Sequence, residues 1–394
     1  MTFTNDQYLG LSKLDDWYQK YSHQCITINT HVGTGIWELL EEFIAISRLK
    51  EYEIAYLSYN QKSVVELGLY GYHAYYIDRF IYDYVRITDF DTLPLFSDNP
   101  RAVSDYTWER YRKHKIPKRY KLLIVFDASL LSESTLYDLM KFNVPIILVY
   151  DSILLENIEC PFHKKKANIS LRDISPYYAT NPLVIFAYKS LANERFKVGS
   201  YDSVNVINKK NINLYNLKSS NMNLTITDTT MNNTNQLYRT EIQKNKTGTN
   251  RLGDRLILSK SLPDKVLSND KESKLKIYMT RGVVGKITKL NRHVATTKYL
   301  PIEFTVDFYK VPFTDIRLDR HYLNKIDFVN RQIVPEDIAY FNYAFALSVM
   351  KARSNYWDKV TLLVDDNEYN SKELQRRLLY SAICKAKKSI TIAI

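Results

Sequence analysis

Residues 27–38 read Thr-Ile-Asn-Thr-His-Val-Gly-Thr-Gly-Ile-Trp-Glu. An apolar strand, Cys25 to Asn29, is expected to run into the turn Gly33-Thr34-Gly35, and an amphipathic helix from Ile36 to Leu49 follows. Strand, glycine turn and helix are the setting of a phosphate-binding loop. In such a loop the residue after the second glycine is a Lys that reaches the β/γ-phosphates, and the next is a Ser or Thr whose hydroxyl holds Mg²⁺. Those two positions are Ile36 and Trp37 here. A branched alkyl chain and an indole can do neither job. The expectation is a phosphate-handling scaffold without the groups that handle phosphate.

The elements that would position such a loop recur along the first 155 residues. Ile54 to Ser58 reads as a short strand, Tyr120 to Phe126 as a nearly continuous apolar strand ending at Asp127, and Val144 to Tyr150 as another ending at Asp151. Ser132 can cap a helix running through Phe142. Apolar strands alternating with helices predict a parallel sheet covered on both faces. Residues 205–250 are rich in Asn, Thr and Lys and read as a polar connection. Short β-like runs at Asp254–Ser259, Tyr278–Leu290 and Ile302–Tyr309 suggest a small β insert. A helix over Asp337–Lys351, a strand Lys359–Val364, a helix Lys372–Lys387 and a final strand Ser389–Ile394 return the chain to α/β.

Charge is unevenly placed. Residues 1–160 hold 16 basic and 22 acidic side chains, net −6, and residues 161–394 hold 39 and 21, net +18. A positive field of this size attracts nucleic acid or an acidic protein. The local run from Arg110 to Lys121 has seven positive residues and no acid: Arg110, Arg112, Lys113, Lys115, Lys118, Arg119 and Lys121. Interleaved with Tyr, it could grip phosphates or serve as a solvated linker. The 32 tyrosines suit base stacking, and equally the codon bias of an AT-rich genome. Three cysteines far apart argue against a disulfide framework, and the seven histidines show no metal-ligand spacing. No apolar run approaches the length of a membrane span, and the amino terminus shows no signal-peptide pattern.

The ordered series of motifs resembles superfamily 1B DNA helicases, of the RecD-like and phage Dda-like kind, over almost the full chain. Gln7 matches the N-terminal glutamine that reads adenine, and Gly33, Thr34 and Gly35 the phosphate loop. Leu57–Ser63 and Ala74–Phe80 match two segments that touch single-stranded DNA, with Asp78 where a His is usual. In Leu122–Ser129 the magnesium Asp is replaced by Phe126 and the catalytic Glu by Asp127. In Val149–Leu155 the γ-phosphate glutamine is Leu154. Asn181-Pro182 remain from a segment whose arginine falls on Pro176. Gly253–Ile257 resembles the strand that opens the β insert. Met350–Asp358 keeps Lys351, Trp357 and Asp358, and in Leu378–Lys388 the finger arginine becomes Lys385.

The resemblance implies two RecA-like P-loop NTPase domains with parallel sheets, a pin-like insert and a small β (SH3-like) insert. The boundaries expected are 1–158 for the first domain with the pin at about 76–110, 159–258 with 335–394 for the second, and 259–334 for the β insert. Residues that frame the fold survive, while those that meet phosphate or magnesium are lost. Because a finger arginine alone carries about 10³–10⁵ in rate, the chain is expected to be a pseudoenzyme, with no catalytic residue, cofactor or metal. The degenerate nucleotide site comprises Gln7, Gly33, Thr34, Gly35, Ile36, Trp37, Phe126, Asp127, Leu154 and Lys385. Candidate nucleic-acid contacts are Arg110, Arg112, Lys113, Lys115, Lys118, Arg119, Lys164, Lys165, Lys166 and Lys351.

The function expected is that of a helicase-like accessory or scaffold subunit that associates with nucleic acid irrespective of sequence. Its setting would be phage or viral DNA replication or transcription, in the cytoplasm, including that of an infected host cell. The alternative is a protein-interaction scaffold facing an acidic partner, and the least expected reading is an active ATP-dependent helicase.

Overall fold

The computed structural model describes residues 2–88, 106–113, 115–154, 166–245, 250–268, 276–291, 299–319, 338–352, 355–365 and 371–394. The chain divides into two compact units, one of Met1–Phe80, His114–Lys246 and Phe345–Ile394, the other of Ile81–Lys113 and Thr247–Ala344.

The first unit holds two six-stranded sheets. In the first sheet the order is Ala74–Tyr76, Ile54–Ser58, Leu122–Val125, Ile146–Tyr150, Cys25–Thr30, Ile169–Leu171, and every neighbouring pair is parallel. The runs Leu122–Val125 and Ile146–Tyr150 are buried at every position, as strands covered on both faces must be. The helices Asn5–Lys20 and Ile36–Ile46 bring Leu14, Trp17, Leu39 and Phe43 into the same core as Ile54 and Ile147. The second sheet runs Ala346–Ser348, Met222–Thr225, Trp357–Leu363, Ala386–Ala393, Val204–Ile207, Gly199–Tyr201. It is parallel apart from the antiparallel edge strand Gly199–Tyr201. The fold class is therefore the α/β one expected, with two six-stranded sheets whose strands are parallel but for one edge. The helix Lys372–Ile383 is capped by Ser371, whose hydroxyl accepts the Leu374 N–H, and it stops before Lys385. The final strand starts early, at Ala386, so Lys385 lies in the turn between them.

The second unit contains a two-stranded antiparallel ribbon, Tyr82–Thr88 with Tyr106–Arg112, and a six-stranded sheet. That sheet runs Ile338–Ala339, Phe313–Asp319, Tyr299–Val306, Val284–Leu290, Arg255–Leu258, Phe341–Tyr343, so its residues span 255 to 343. The run Tyr278–Leu290, read as one strand, is two, Lys276–Met279 and Val284–Leu290, broken where Gly282 turns at φ 88°.

The helix expected over Asp337–Lys351 is not formed. Its described part is three short strands, Ile338–Ala339, Phe341–Tyr343 and Ala346–Ser348, and only Val349–Ala352 is helical. The reason is a period of two: Phe341 and Tyr343 are buried on either side of the half-exposed Asn342. They pair against Arg255–Leu258, and Ala346–Ser348 pairs against Met222–Thr225. Short apolar runs of this kind are ambiguous between helix and strand until a partner strand decides.

Gly285 is the tightest point of the insert. A Cβ there would collide with the Thr305 carbonyl oxygen and lie 2.7 Å from the Phe304 ring and 2.8 Å from Val306 Cα. Gly285→Ala should therefore destabilise the insert by about 1–3 kcal/mol, the usual range for overpacking. Thermal unfolding checks this, and an unchanged midpoint would show that the sheet yields freely.

Candidate functional site

The loop after strand Cys25–Thr30 has the shape that the sequence predicts. Gly33 and Gly35 take φ of 78° and 75°, the left-handed region open to glycine. Both are also pressed against other parts of the chain. A Cβ on Gly33 would lie 2.7 Å from Val184 Cγ1, and one on Gly35 would collide with Gln7 Nε2 and lie 3.1 Å from Ser175 Cβ. The Ser175 N–H donates to the Gly33 carbonyl at 2.9 Å. Thr34 is buried, its hydroxyl 2.6 Å from that of Thr30 and donating to the His31 carbonyl at 2.9 Å. The loop is thus roofed by residues 175–184 and by Gln7.

Gln7 is committed to this roof. It is buried in the helix Asn5–Lys20, its Nε2 donates to the Gly35 carbonyl at 3.0 Å, and its Oε1 accepts the Thr4 N–H at 2.9 Å. Both ends of the amide are used to close the loop and cap the helix.

Ile36 and Trp37 begin the following helix and pack on the core beneath. The Trp37 indole stacks on Phe126, centroids 4.8 Å apart and planes at 30°, with Tyr56 and Tyr72 each 6.3 Å away. The two positions that would supply a magnesium hydroxyl and a magnesium carboxylate are therefore in face-to-face contact as aromatic rings. Such pairs add about 0.5–1.5 kcal/mol beyond the area they bury.

Asp127 follows Phe126 with φ 51° and accepts the Ser58 hydroxyl at 3.1 Å. Burial raises its carboxyl pKa, an effect that Lys385 and Ser58 partly offset. Burial likewise lowers the pKa of the Lys385 ammonium, while Asp127, Cys384 and Asp151 oppose the shift. Among the described residues Lys385 forms an ion pair with none of the three. The two groups thus influence each other electrostatically without an ion pair.

Sequence reasoning treated Leu378–Ile383 as framework and missed the groups that do most here. The Tyr380 hydroxyl accepts the Val32 N–H at 2.9 Å and donates to Asp151 Oδ2 at 2.6 Å. Burial pushes this phenol well above its ordinary pKa, so it stays a neutral donor. Asp151 Oδ1 faces His31 Nδ1 at 3.0 Å and accepts the Ile153 N–H at 2.9 Å. One helical turn before Tyr380, Arg377 donates Nε to the Ile153 carbonyl at 2.9 Å and Nη2 to those of Ser152 and Leu154 at 3.2 Å. Leu154 thus contributes its backbone oxygen. The i, i+3 spacing of Arg377 and Tyr380, which puts them on one helix face, was the signal available.

The described candidate nucleic-acid residues divide between the two units. Register places Arg110 opposite Tyr84 and Arg112 opposite Tyr82 on the ribbon, with the Arg110 guanidinium 4.6 Å from the Tyr82 ring. Arg112 donates to the Lys113 carbonyl at 3.1 Å, and Lys113 sits 3.5 Å from Asp83. Lys115, Lys118 and Arg119 are exposed in the other unit, Arg119 lying 4.9 Å from the Tyr120 ring. Lys166 is exposed, while Lys164 and Lys165 lie outside the described residues. Lys351 pairs with Asp228 at 2.9 Å. Among the described residues no group of three or more His, Cys, Asp or Glu is placed to hold a metal ion, and no helix is long and apolar enough to cross a membrane.

No protein-family model matches the chain, and no curated protein does. Among solved structures it is similar to Bacteroides Pif1 bound to ssDNA, at 12% identity and a TM-score of 0.47, over 100% of this chain and 92% of that one. It is also similar to Pif1 helicase from Candida albicans, at 12% identity and a TM-score of 0.43, over 100% and 94% of the two chains. A structure of two coordinating Pif1 helicases at forked dsDNA gives 11% and 0.48, over 100% and 92%.

Asp127 and Lys385 should behave as a pair. Removing one partner takes from the other part of the charge that offsets its burial. Asp127→Leu and Lys385→Met should each lower the unfolding midpoint, and the double variant should lose less than the sum of the singles. A double variant as unstable as the sum of the singles would show that the two charges are not coupled.

Proposed function

We propose that this chain is a pseudo-helicase: a helicase-like protein that no longer hydrolyses ATP and acts by binding, as an accessory or scaffold subunit associated with nucleic acid. The observation that carries the first half is the Trp37–Phe126 stack, 4.8 Å between centroids, at the positions where a phosphate loop and its partner strand would bring magnesium. The roof over Gly33 and Gly35 supports the same reading, because it occupies the approach that a phosphate would need. The second half draws on the net +18 of residues 161–394 and on the exposed Lys115, Lys118, Arg119 and Lys166. The phage or viral setting, in replication or transcription, rests on the motif resemblance.

Mg-ATP should leave the unfolding midpoint of the purified chain unchanged, and no phosphate release should be seen with or without single-stranded DNA. A midpoint shift of several degrees, or turnover stimulated by DNA, would return the chain to the active helicases.

Binding to labelled single- and double-stranded oligonucleotides, followed by anisotropy across a salt series, tests the nucleic-acid reading. Affinity should fall steeply with salt, by about 0.7–0.9 log units per log unit of salt for each phosphate held. Changing Lys115, Lys118 and Arg119 to Gln should flatten that slope by about one unit for each phosphate no longer held, across all sequences alike. No binding by the parent would leave the acidic-protein scaffold as the reading to pursue.

A further inference from the structure

The carboxyl ends of the first sheet's strands, the edge at which open α/β sheets take their ligands, meet the helix Lys372–Ile383 and residues around the starts of strands Trp357–Leu363 and Ala386–Ala393 of the second half. Four successive strands of the first sheet bear on the second half. Beyond Ile54–Ser58, the helix Gln61–Leu69 receives Tyr356: its hydroxyl donates to Glu66 at 2.6 Å, and Lys62 donates to its carbonyl at 2.8 Å. Lys62 and Lys387 both lie 4.2 Å from the Tyr356 ring centroid, and Lys387 pairs with Glu66 at 3.0 Å. Beyond Leu122–Val125, Asp127 feels the charge of Lys385 but makes no ion pair with it. Beyond Ile146–Tyr150, Asp151 takes the Tyr380 hydroxyl and residues 152–154 take Arg377. Beyond Cys25–Thr30, Val32 gives its N–H to the same Tyr380 oxygen.

We infer that side chains of its own second half pin the two sheets in one arrangement, with Tyr380 and Arg377 serving as an internal ligand of the cleft. A single contact between two bodies is a pivot. Contacts at three of four successive strand ends, at about 4.8 Å per strand, make a line of roughly 15 Å that resists both hinging and sliding. The groups are also matched to their places. Arg377 directs donors to three backbone carbonyls, as a planar guanidinium can. Tyr380 accepts from a loop N–H and donates to a carboxylate, so one hydroxyl joins the loop to the neighbouring strand end. With no exchangeable ligand that prefers one arrangement, nothing drives the sheets between two states.

The test is a distance distribution by pulsed electron resonance. Bioorthogonal spin labels replace Tyr137 on the helix Glu133–Met140 and Tyr215 on the helix Leu214–Ser219, both exposed and on opposite halves. The parent should give one narrow distance, the same alone, with Mg-ATP and with a single-stranded oligonucleotide. Several distances, or a shift on adding Mg-ATP, would overturn the inference. Tyr380→Phe with Arg377→Gln should lose the single narrow distance while far-ultraviolet circular dichroism stays that of the parent. Retention of the parent's distance in that folded variant would show that these residues are not the pins. Should the variant fail to fold, Tyr356→Phe with Lys387→Gln tests the other end of the line, with loss and retention of the narrow distance read in the same way. Because the distance is first read without nucleic acid, a chain that proves unable to bind DNA leaves this result standing.

Discussion

One hydroxyl carries an unusual share of the architecture. The Tyr380 oxygen accepts from the loop at Val32 and donates to Asp151, so it bonds at once to the ends of two adjacent strands in the other half. It is buried, and a buried polar atom must find partners or cost free energy comparable to that of a missing hydrogen bond. Here the hydroxyl, the N–H and one carboxylate oxygen satisfy one another. The Asp151 oxygen that remains is taken by His31 and Ile153, and Arg377 takes the carbonyls that follow. Removing the Tyr380 hydroxyl would take a partner from both the Val32 N–H and Asp151 at once, so its loss is felt at two strand ends together.

The same rule explains how the rest of the cleft is filled. Aromatic rings fill one part of it: Trp37 packs on Phe126, Tyr72 and Tyr56, and the Tyr56 hydroxyl donates to Glu51 at 3.3 Å. Where polar groups remain, they are turned inward. Gln7 spends both ends of its amide on backbone, and Lys351 leans on Asp228. Asp127 and Lys385 are the least comfortable of these, each held away from its ordinary ionisation by burial and partly relieved by the other, with Ser58 helping the carboxyl and Cys384 and Asp151 the ammonium.

Much of the scaffold was legible because it is written in local chemistry. The buried strands Leu122–Val125 and Ile146–Tyr150 are unbroken apolar runs, the loop is marked by Gly33 and Gly35, and Ser132 and Ser371 cap the helices that follow them. Illegibility began where a partner far along the chain decides. Phe341–Tyr343 and Ala346–Ser348 became strands because Arg255–Leu258 and Met222–Thr225 stand ready to pair with them. The helix end at Ile383 depended on the early start of Ala386–Ala393. At the site, the residues missing from the motifs could be read directly, whereas those that fill their places could not. Tyr380 belongs to a segment that looks like framework, and nothing in the neighbouring sequence says that its hydroxyl crosses to Asp151. The run Arg110–Arg119 shows the converse, since residues adjacent in sequence divide between two units.

The two loop glycines bear on how such a chain could change over generations. Gly33 and Gly35 stay fixed here by Val184, Ser175 and Gln7, which leave no room for a methyl group, whether or not a phosphate is ever present. That constraint is steric and holds whatever else the loop does. On the pseudo-helicase reading, a lineage in this condition would be caught in a ratchet. A step towards a threonine at Trp37 would give up the ring contacts with Phe126, Tyr56 and Tyr72 before a lysine, a carboxylate and an open roof could make that step useful.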